Sequence, residues 1–177
     1  MRITGGELRG HPLYYSKKLR LRPTQDKVRG AIFNVLGDEV IDRIVFDLFA
    51  GTGSFGLDAL SRGAKEAFFI EISRAAVSIL RRNIESLGYS RCAHIIREDA
   101  STFIKDLKER VDSDWRTAIV FIDPPYESGY LSELLPIVKD FLPYILIVEH
   151  SKREPWQLAD RTLSFGDTRV SIYYREG

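Results

Sequence analysis

The chain is short of the residues that most often declare a function by themselves. It has one cysteine, Cys92, among 177 residues. A lone cysteine excludes an intrachain disulfide and any zinc site built on several thiolates. Its three histidines, His11, His94 and His150, lack metal-ligand spacing, so each is expected to be structural or exposed, and no metal is expected. Cys92 is expected to pack as a small hydrophobe. No apolar run approaches the ~20 residues that cross a bilayer. No signal-peptide pattern opens the chain, because Met1-Arg2-Ile3-Thr4-Gly5-Gly6 runs directly into basic and polar residues. Internal repeats and low-complexity tracts are also missing. These absences leave an ordinary globular chain of one-domain size, expected in a reducing, cytoplasmic setting with no membrane partner and as a monomer.

Charge is present but unevenly spread. The net charge is only +1. Residues 1–36 nevertheless carry eight basic side chains (Arg2, Arg9, Lys17, Lys18, Arg20, Arg22, Lys27 and Arg29) against Glu7 and Asp26. The remainder carries an acidic surplus of five. A basic arm on a mildly acidic body fits a polyanion gripped from one end, although a solvated tail has the same composition.

Apolar periodicity then sets the order of elements. Gly5-Gly6, Gly10 and Pro12 between short apolar stretches predict a hairpin or loop over residues 1–22. A helix is expected from Thr24, with Val28, Ala31, Ile32, Val35 and Leu36 on its apolar face. Strands are predicted at Ile44–Phe49, Ala67–Ile70, His94–Ile96, Ala118–Ile122 and Tyr144–Val148. Helices alternate with them, one capped by Ser73 and closed by Gly88, and one near 131–142 bent or interrupted at Pro136. The tail reads as a hairpin about Gly166-Asp167. Such an order means an α/β fold with a mostly parallel sheet, helices on both faces and a late antiparallel strand. Ligands of such sheets bind beyond the carboxyl ends of the strands, so the chemistry should lie there.

Four strand ends carry suitable residues. Asp47-Leu48-Phe49-Ala50-Gly51-Thr52-Gly53-Ser54-Phe55-Gly56 follows the first strand, its glycines spaced so that backbone can approach a ligand closely and open a helix. Glu71 ends the second strand, where a carboxylate accepts hydrogen bonds from ribose hydroxyls. These two features admit either a dinucleotide or an adenosyl ligand. Asp99-Ala100 follows the third strand, with Asp99 placed either to accept from an adenine amine or to cap the next helix. Asp123-Pro124-Pro125-Tyr126 follows the fourth. Its prolines remove two N–H donors and leave carbonyls free. A carboxylate, an oriented carbonyl and an aromatic ring together suit a planar base bearing an amino group, which a nicotinamide-dependent oxidoreductase would leave unexplained.

On these stretches the chain resembles the RsmD-type 16S rRNA (guanine-N2)-methyltransferases along nearly its whole length. The likeness rests on Arg2 to Gly6 with Arg9-Gly10, Leu21 to Thr24, Val28-Arg29, Phe33-Asn34, Asp47 to Gly63 and Asp123 to Tyr126. Asp58 stands where many members of that group carry Glu. The resemblance implies a Rossmann-like class I methyltransferase fold with a seven-stranded, mostly parallel sheet and one antiparallel strand. It divides the chain into an RNA-binding hairpin and helix extension (1–36) and a catalytic domain (37–177). It implies S-adenosylmethionine as donor and N2 of guanine 966 of the small-subunit rRNA as acceptor, free or within an assembling subunit. Asp123, Pro124 and Tyr126 would be catalytic. Asp47, Phe49, Gly51, Thr52, Gly53, Gly56, Glu71, Asp99, Ala100 and Thr24 would hold the donor. Arg2, Arg9, Lys17, Lys18, Arg20 and Arg22 would meet RNA, while Tyr14 and Tyr15 are able to stack on bases but are expected on a packed face of the hairpin. The nearest alternatives are a DNA adenine or cytosine amino-methyltransferase and a protein glutamine methylase.

Overall fold

The computed structural model describes residues 1–16, 26–106, 114–125, 128–140, 143–154 and 159–175. Seven strands form one sheet: β1 (Ile44–Asp47), β2 (Glu66–Ile70), β3 (Ala93–Ile96), β4 (Ile119–Ile122), β5 (Ile145–Ser151), β6 (Arg161–Phe165) and β7 (Thr168–Tyr174). Their order across the sheet is β3-β2-β1-β4-β5-β7-β6. The strands pair in parallel as far as β5, and β7 runs antiparallel to both of its neighbours. The chain therefore leaves β1 toward one edge and returns through β4 on its other side. The crevice opened by that reversal is the expected ligand position.

Alternation along the strands feeds two cores. Val45, Ala67, Phe69, Ile119, Phe121, Ile145 and Ile147 face one side, with α1 (Asp26–Leu36), α2 (Ser54–Ser61) and α3 (Arg74–Leu87). Phe46, Ile70, Val120, Ile122, Leu146 and Val148 face the other, beneath α4 (Ala100–Lys105), α5 (Asp114–Thr117) and α6 (Tyr130–Asp140). A strand's period of two sends neighbours to opposite faces, and burial on both faces explains the nearly unbroken apolar runs of β4 and β5. Every residue of α2 is buried, whereas α3 buries Ala76, Val77, Leu80, Asn83 and Ile84 along one stripe. Ser73 caps α3 by accepting from the Ala76 amide, and Gly88 ends it at φ 78°.

Two local expectations change. The helix containing Pro136 runs unbroken from Tyr130 to Asp140. Pro136 and Ser132 are both exposed, so solvent can satisfy the Ser132 carbonyl that the proline leaves without its usual amide. A short 3-10 helix at Gly37–Val40 and α5, neither with a clear periodic signal, were not anticipated. The expected start of α1 at Thr24 lies outside the described residues. No helix of the described residues is long and apolar enough to cross a membrane.

Residues 1–16 form a hairpin-like arm. Ile3 donates to the His11 carbonyl, Gly10 donates to the Ile3 carbonyl, and Arg2 bridges Pro12. Ile3 and Leu13 enter the same core as α1 and α2. Asp58 of α2 accepts from the Thr4 amide at 2.7 Å and from Arg29 Nε at 2.8 Å. Ser61 Oγ donates to the Gly5 carbonyl and accepts from the Leu8 amide. Gly6 lies so close to the Ser61 carbonyl that a side chain there would collide with backbone, and its φ is +77°. The arm is thus stitched to the body by buried polar contacts.

Candidate active site

The turn after β1 is tied to both neighbouring strands. Leu48 donates to the Phe121 carbonyl at 3.0 Å and Ala50 donates to the Ile70 carbonyl at 3.0 Å. Gly53 then turns at φ 85°, and a Cβ at this position would strike Leu80. A Cβ at Gly56 would strike the Phe69 ring. The glycines therefore serve close helix-to-sheet approach and lie behind the turn, while Gly51 and Thr52 face a cavity of about 410 Å³.

That cavity sits at the carboxyl ends of β1, β2 and β4. Asp47, Phe49, Gly51, Thr52, Glu71, Asp99, Ala100, Asp123 and Pro124 all line it. Glu71 is held from two sides: Oε2 accepts from the Gly51 amide at 2.8 Å, and Oε1 accepts from the Ser73 amide at 2.7 Å. Each carboxylate oxygen keeps further acceptor capacity for a ligand hydroxyl. Asp47 accepts from the Gly56 amide at 3.3 Å and is almost wholly buried. Burial, reinforced by the nearby Glu71 charge, pushes its carboxyl up to about 7.

Asp99 takes the capping role. Its Oδ1 accepts from the Ser101 and Thr102 amides at 2.9 and 3.3 Å, and its Oδ2 accepts from the Tyr130 hydroxyl at 2.9 Å. This last bond raises the phenol of Tyr130 above its ordinary range. Tyr130 also meets the Phe49 ring edge-on, with centroids 5.1 Å apart. It was missed in sequence because it opens a helix 31 residues beyond Asp99, with no local motif to mark it.

Three further wall residues were also missed. Ile72, directly after Glu71, is 63% exposed, and an apolar residue presented next to a ligand carboxylate was a readable signal. Tyr15 and Ser16 reach the cavity from the arm. The expectation that Tyr14 and Tyr15 pack is corrected. They are 43% and 49% exposed, because Leu13 takes the inward position and Asn83 holds the Tyr14 backbone.

Of the expected RNA contacts, Arg2 and Arg9 are exposed and do not line the cavity. Lys17, Lys18, Arg20, Arg22, Thr24 and Tyr126 lie outside the described residues. His150 is buried between the Ser151 carbonyl and Ser171 Oγ, and His94 pairs with Glu66. Cys92 is partly buried against the core. No cluster with metal-binding composition occurs among the described residues.

The strand order, the reversal crevice and a cavity bordered by a glycine turn and the Glu71 carboxylate are those of a class I, S-adenosylmethionine-dependent methyltransferase. A family model described as "Conserved hypothetical protein 95" matches residues 1–173, and the chain belongs to this family, that of the RsmD-type enzymes. The ribosomal RNA small subunit methyltransferase D of Escherichia coli (strain K12) is 36% identical over 140 residues, covering 79% of this chain and 67% of that protein. The structure of YhhF, a candidate methyltransferase of Escherichia coli, superposes with a TM-score of 0.80 at 33% identity, covering 99% of this chain and 98% of that one. An RNA methyltransferase of Salinibacter ruber, solved with S-adenosylhomocysteine, shares the fold at a TM-score of 0.66 and 19% identity, covering 86% of this chain and 93% of that one.

Proposed function

We propose that this chain methylates the exocyclic N2 of a guanine in small-subunit ribosomal RNA, guanine 966 by family resemblance. One observation carries the reading: the Asp123-Pro124 turn and the Gly51-Thr52 turn border the same cavity, so donor and acceptor groups meet within one space. The name of the Escherichia coli relative supports rRNA as the acceptor.

The residues present fit the donor. Glu71, fixed by two backbone amides, offers acceptors for ribose hydroxyls, and Ile72 offers an apolar surface for the adenine ring. Gly51 and Thr52 bring backbone close to the remainder. Gly53 and Gly56 support the same site by letting α2 pack closely behind the turn, and Thr24 is assigned to the donor by family resemblance. When bound, the donor supplies a methyl group already activated by a sulfonium.

The protein's own task is alignment. An exocyclic guanine amine is a weak nucleophile because its lone pair is delocalised into the ring. Asp123 and the Pro124 carbonyl accept its two hydrogens, which favours a pyramidal nitrogen and stabilises positive charge as it develops. Tyr126 stacks on the base face. The amine's surplus proton leaves to Asp123 or to solvent after transfer. An enclosed site demands that the base be unpaired or flipped out. Arg2, Arg9, Lys17, Lys18, Arg20 and Arg22 hold phosphates and set the register, so their removal flattens the salt dependence of binding.

The test is radiolabelled methyl transfer from S-adenosylmethionine to protein-free rRNA, small subunits, DNA and protein side by side, followed by mapping of the modified nucleotide. Label appearing in guanine N2 of rRNA is the expected result. Label confined to DNA or glutamine overturns it.

A further inference from the structure

Among the described residues, four large hydrophobic side chains are exposed: Tyr14, Tyr15 and Ile72 belong to the cavity's wall or the adjoining arm, and Ile41 lies elsewhere. Ile72 and Tyr15 are accounted for by the cavity itself. Tyr14 is not, since it does not line it. Its ring is 43% exposed, and the guanidinium of Arg82 lies over it at 3.6 Å from the centroid. Arg82 and its neighbour Arg81 are both exposed on the outer side of α3.

The backbone beneath this ring is held with unusual thoroughness. Asn83, fully buried, accepts from the Tyr14 amide at 2.7 Å and donates to the Tyr14 carbonyl at 3.0 Å. It also donates to the Thr52 carbonyl of the donor turn at 2.9 Å. An amide side chain that satisfies both backbone groups of one residue fixes the direction of its Cα–Cβ bond, and the Arg82 guanidinium stacks on the ring that leaves along it. Together they hold an exposed aromatic ring, roofed by a cation, next to the rim formed by Tyr15 and Ser16. Burying Asn83 anchors the arm, and leaving the ring itself in solvent adds nothing to that anchorage. Holding the ring in place does remove the ordering cost that a ligand would otherwise meet.

We propose that the Tyr14–Arg82 stack, set by Asn83, is a docking platform for an unpaired RNA strand beside the methylated base. The proposal rests on the RNA reading above and adds a surface and a strand state to it. Bases stack on aromatic rings and on guanidinium planes without regard to sequence, and single strands alone present free faces for doing so. Arg81 and Arg82 supply the positive charge that a phosphate backbone requires.

The experiment measures binding of the native chain, Tyr14→Ala, Tyr14→Phe and Arg82→Ala to a short unstructured single-stranded RNA, to a duplex RNA of equal length and to polyglutamate. Donor affinity, thermal midpoint and methyl transfer to rRNA are measured on the same samples. The expected result is preference for the single strand over duplex and polyglutamate, about a tenfold rise in Kd for Tyr14→Ala, retention in Tyr14→Phe and a smaller loss in Arg82→Ala. Donor affinity and thermal midpoint stay unchanged. Single-strand Kd within twofold of native in Tyr14→Ala, with rRNA methylation intact, overturns the platform alone. A parallel fall in donor affinity or thermal midpoint assigns Tyr14 a structural role and also overturns it. Equal binding of polyglutamate marks a general acidic-partner surface and rejects the strand. No transfer to rRNA by the native chain removes the platform together with the function it rests on.

Discussion

Arg29 donates from Nε to Oδ2 of Asp58 at 2.8 Å, and both side chains are completely buried. The same guanidinium reaches the Arg2 carbonyl at 2.6 Å, and the same carboxylate accepts from both the amide and the hydroxyl of Thr4. One ion pair thus ties α1, α2 and the arm together. Removing Arg29 strips the buried Asp58 carboxylate of this ion pair, and removing Asp58 leaves the buried guanidinium with the half-exposed Asp26 at 3.0 Å, so breaking the pair costs roughly 3–5 kcal/mol. Asp58→Ala and Arg29→Ala should each lower the unfolding free energy measured by urea titration by about that amount, and their effects should not add. Independent, additive losses in a double-mutant cycle would show that the two groups are not coupled.

Asp123 borders the cavity at the end of β4, where the acceptor amine is proposed to lie. Asp123→Ala should reduce turnover on rRNA by about 10²–10³-fold. Donor affinity, measured by calorimetry, should hold within about threefold, because the donor's contacts centre on β1 and β2. A fall in donor affinity with turnover preserved would reverse the assignment.

The Asp47 carboxyl, raised by burial to about 7, predicts a pH effect on donor binding. Because its folded value lies above the ordinary 3.8, the folded chain holds the proton more tightly, and this group's contribution to stability declines as pH rises from about 4 to about 7. A cationic ligand in the same cavity favours the ionised form. Affinity for S-adenosylmethionine should therefore increase as pH rises through about 7, and the trend should be weaker for S-adenosylhomocysteine, which lacks the sulfonium charge. Asp47→Asn should flatten the first profile. Equal slopes for the two ligands would remove Asp47 from the explanation.

Burial lowers the His150 imidazole below its ordinary 6.5, so the ring is held neutral between Ser151 and Ser171. The unfolded chain then binds the extra proton first as the solution is acidified. Stability from this source is present above pH ~6.5 and is lost as pH falls below it. Chemical denaturation from pH 8 to pH 5 should show a steeper loss in the native chain than in His150→Asn. Matching profiles would mean the ring charges without penalty.

The sheet was readable because its strands are short apolar runs bounded by glycine and caps, as in Ile119–Ile122 and in Ser73 with Gly88 around α3. The strand-end residues were readable because each follows its strand directly: Asp47, Glu71, Asp99 and Asp123 all border one cavity. Asp99 remained double in sequence, since capping and ligand contact call for the same carboxylate, and only the folded chain reveals the cap. What escaped depends on distant partners. Asp58 looked like a minor variation on a helix face, yet its position opposite Arg29 and Thr4 makes it a buried hub. Asn83 sits in an arginine-rich stretch that reads as solvent-facing, and its buried position is explained by Tyr14, 69 residues earlier. Tyr130 became part of the site through a side-chain bond that no spacing rule anticipates.

The anchors of the arm all come later in the chain than the arm itself. Thr4 waits for Asp58, Leu8 for Ser61 and Tyr14 for Asn83, at separations of 54, 53 and 69 residues. During synthesis the arm has none of these anchors until α2 has emerged, and Tyr14 lacks its partner until α3 has followed. Closure of the arm onto α2 and α3 therefore waits for the chain as far as Asn83, and the wall that Tyr15 and Ser16 provide is built by contacts distant in sequence.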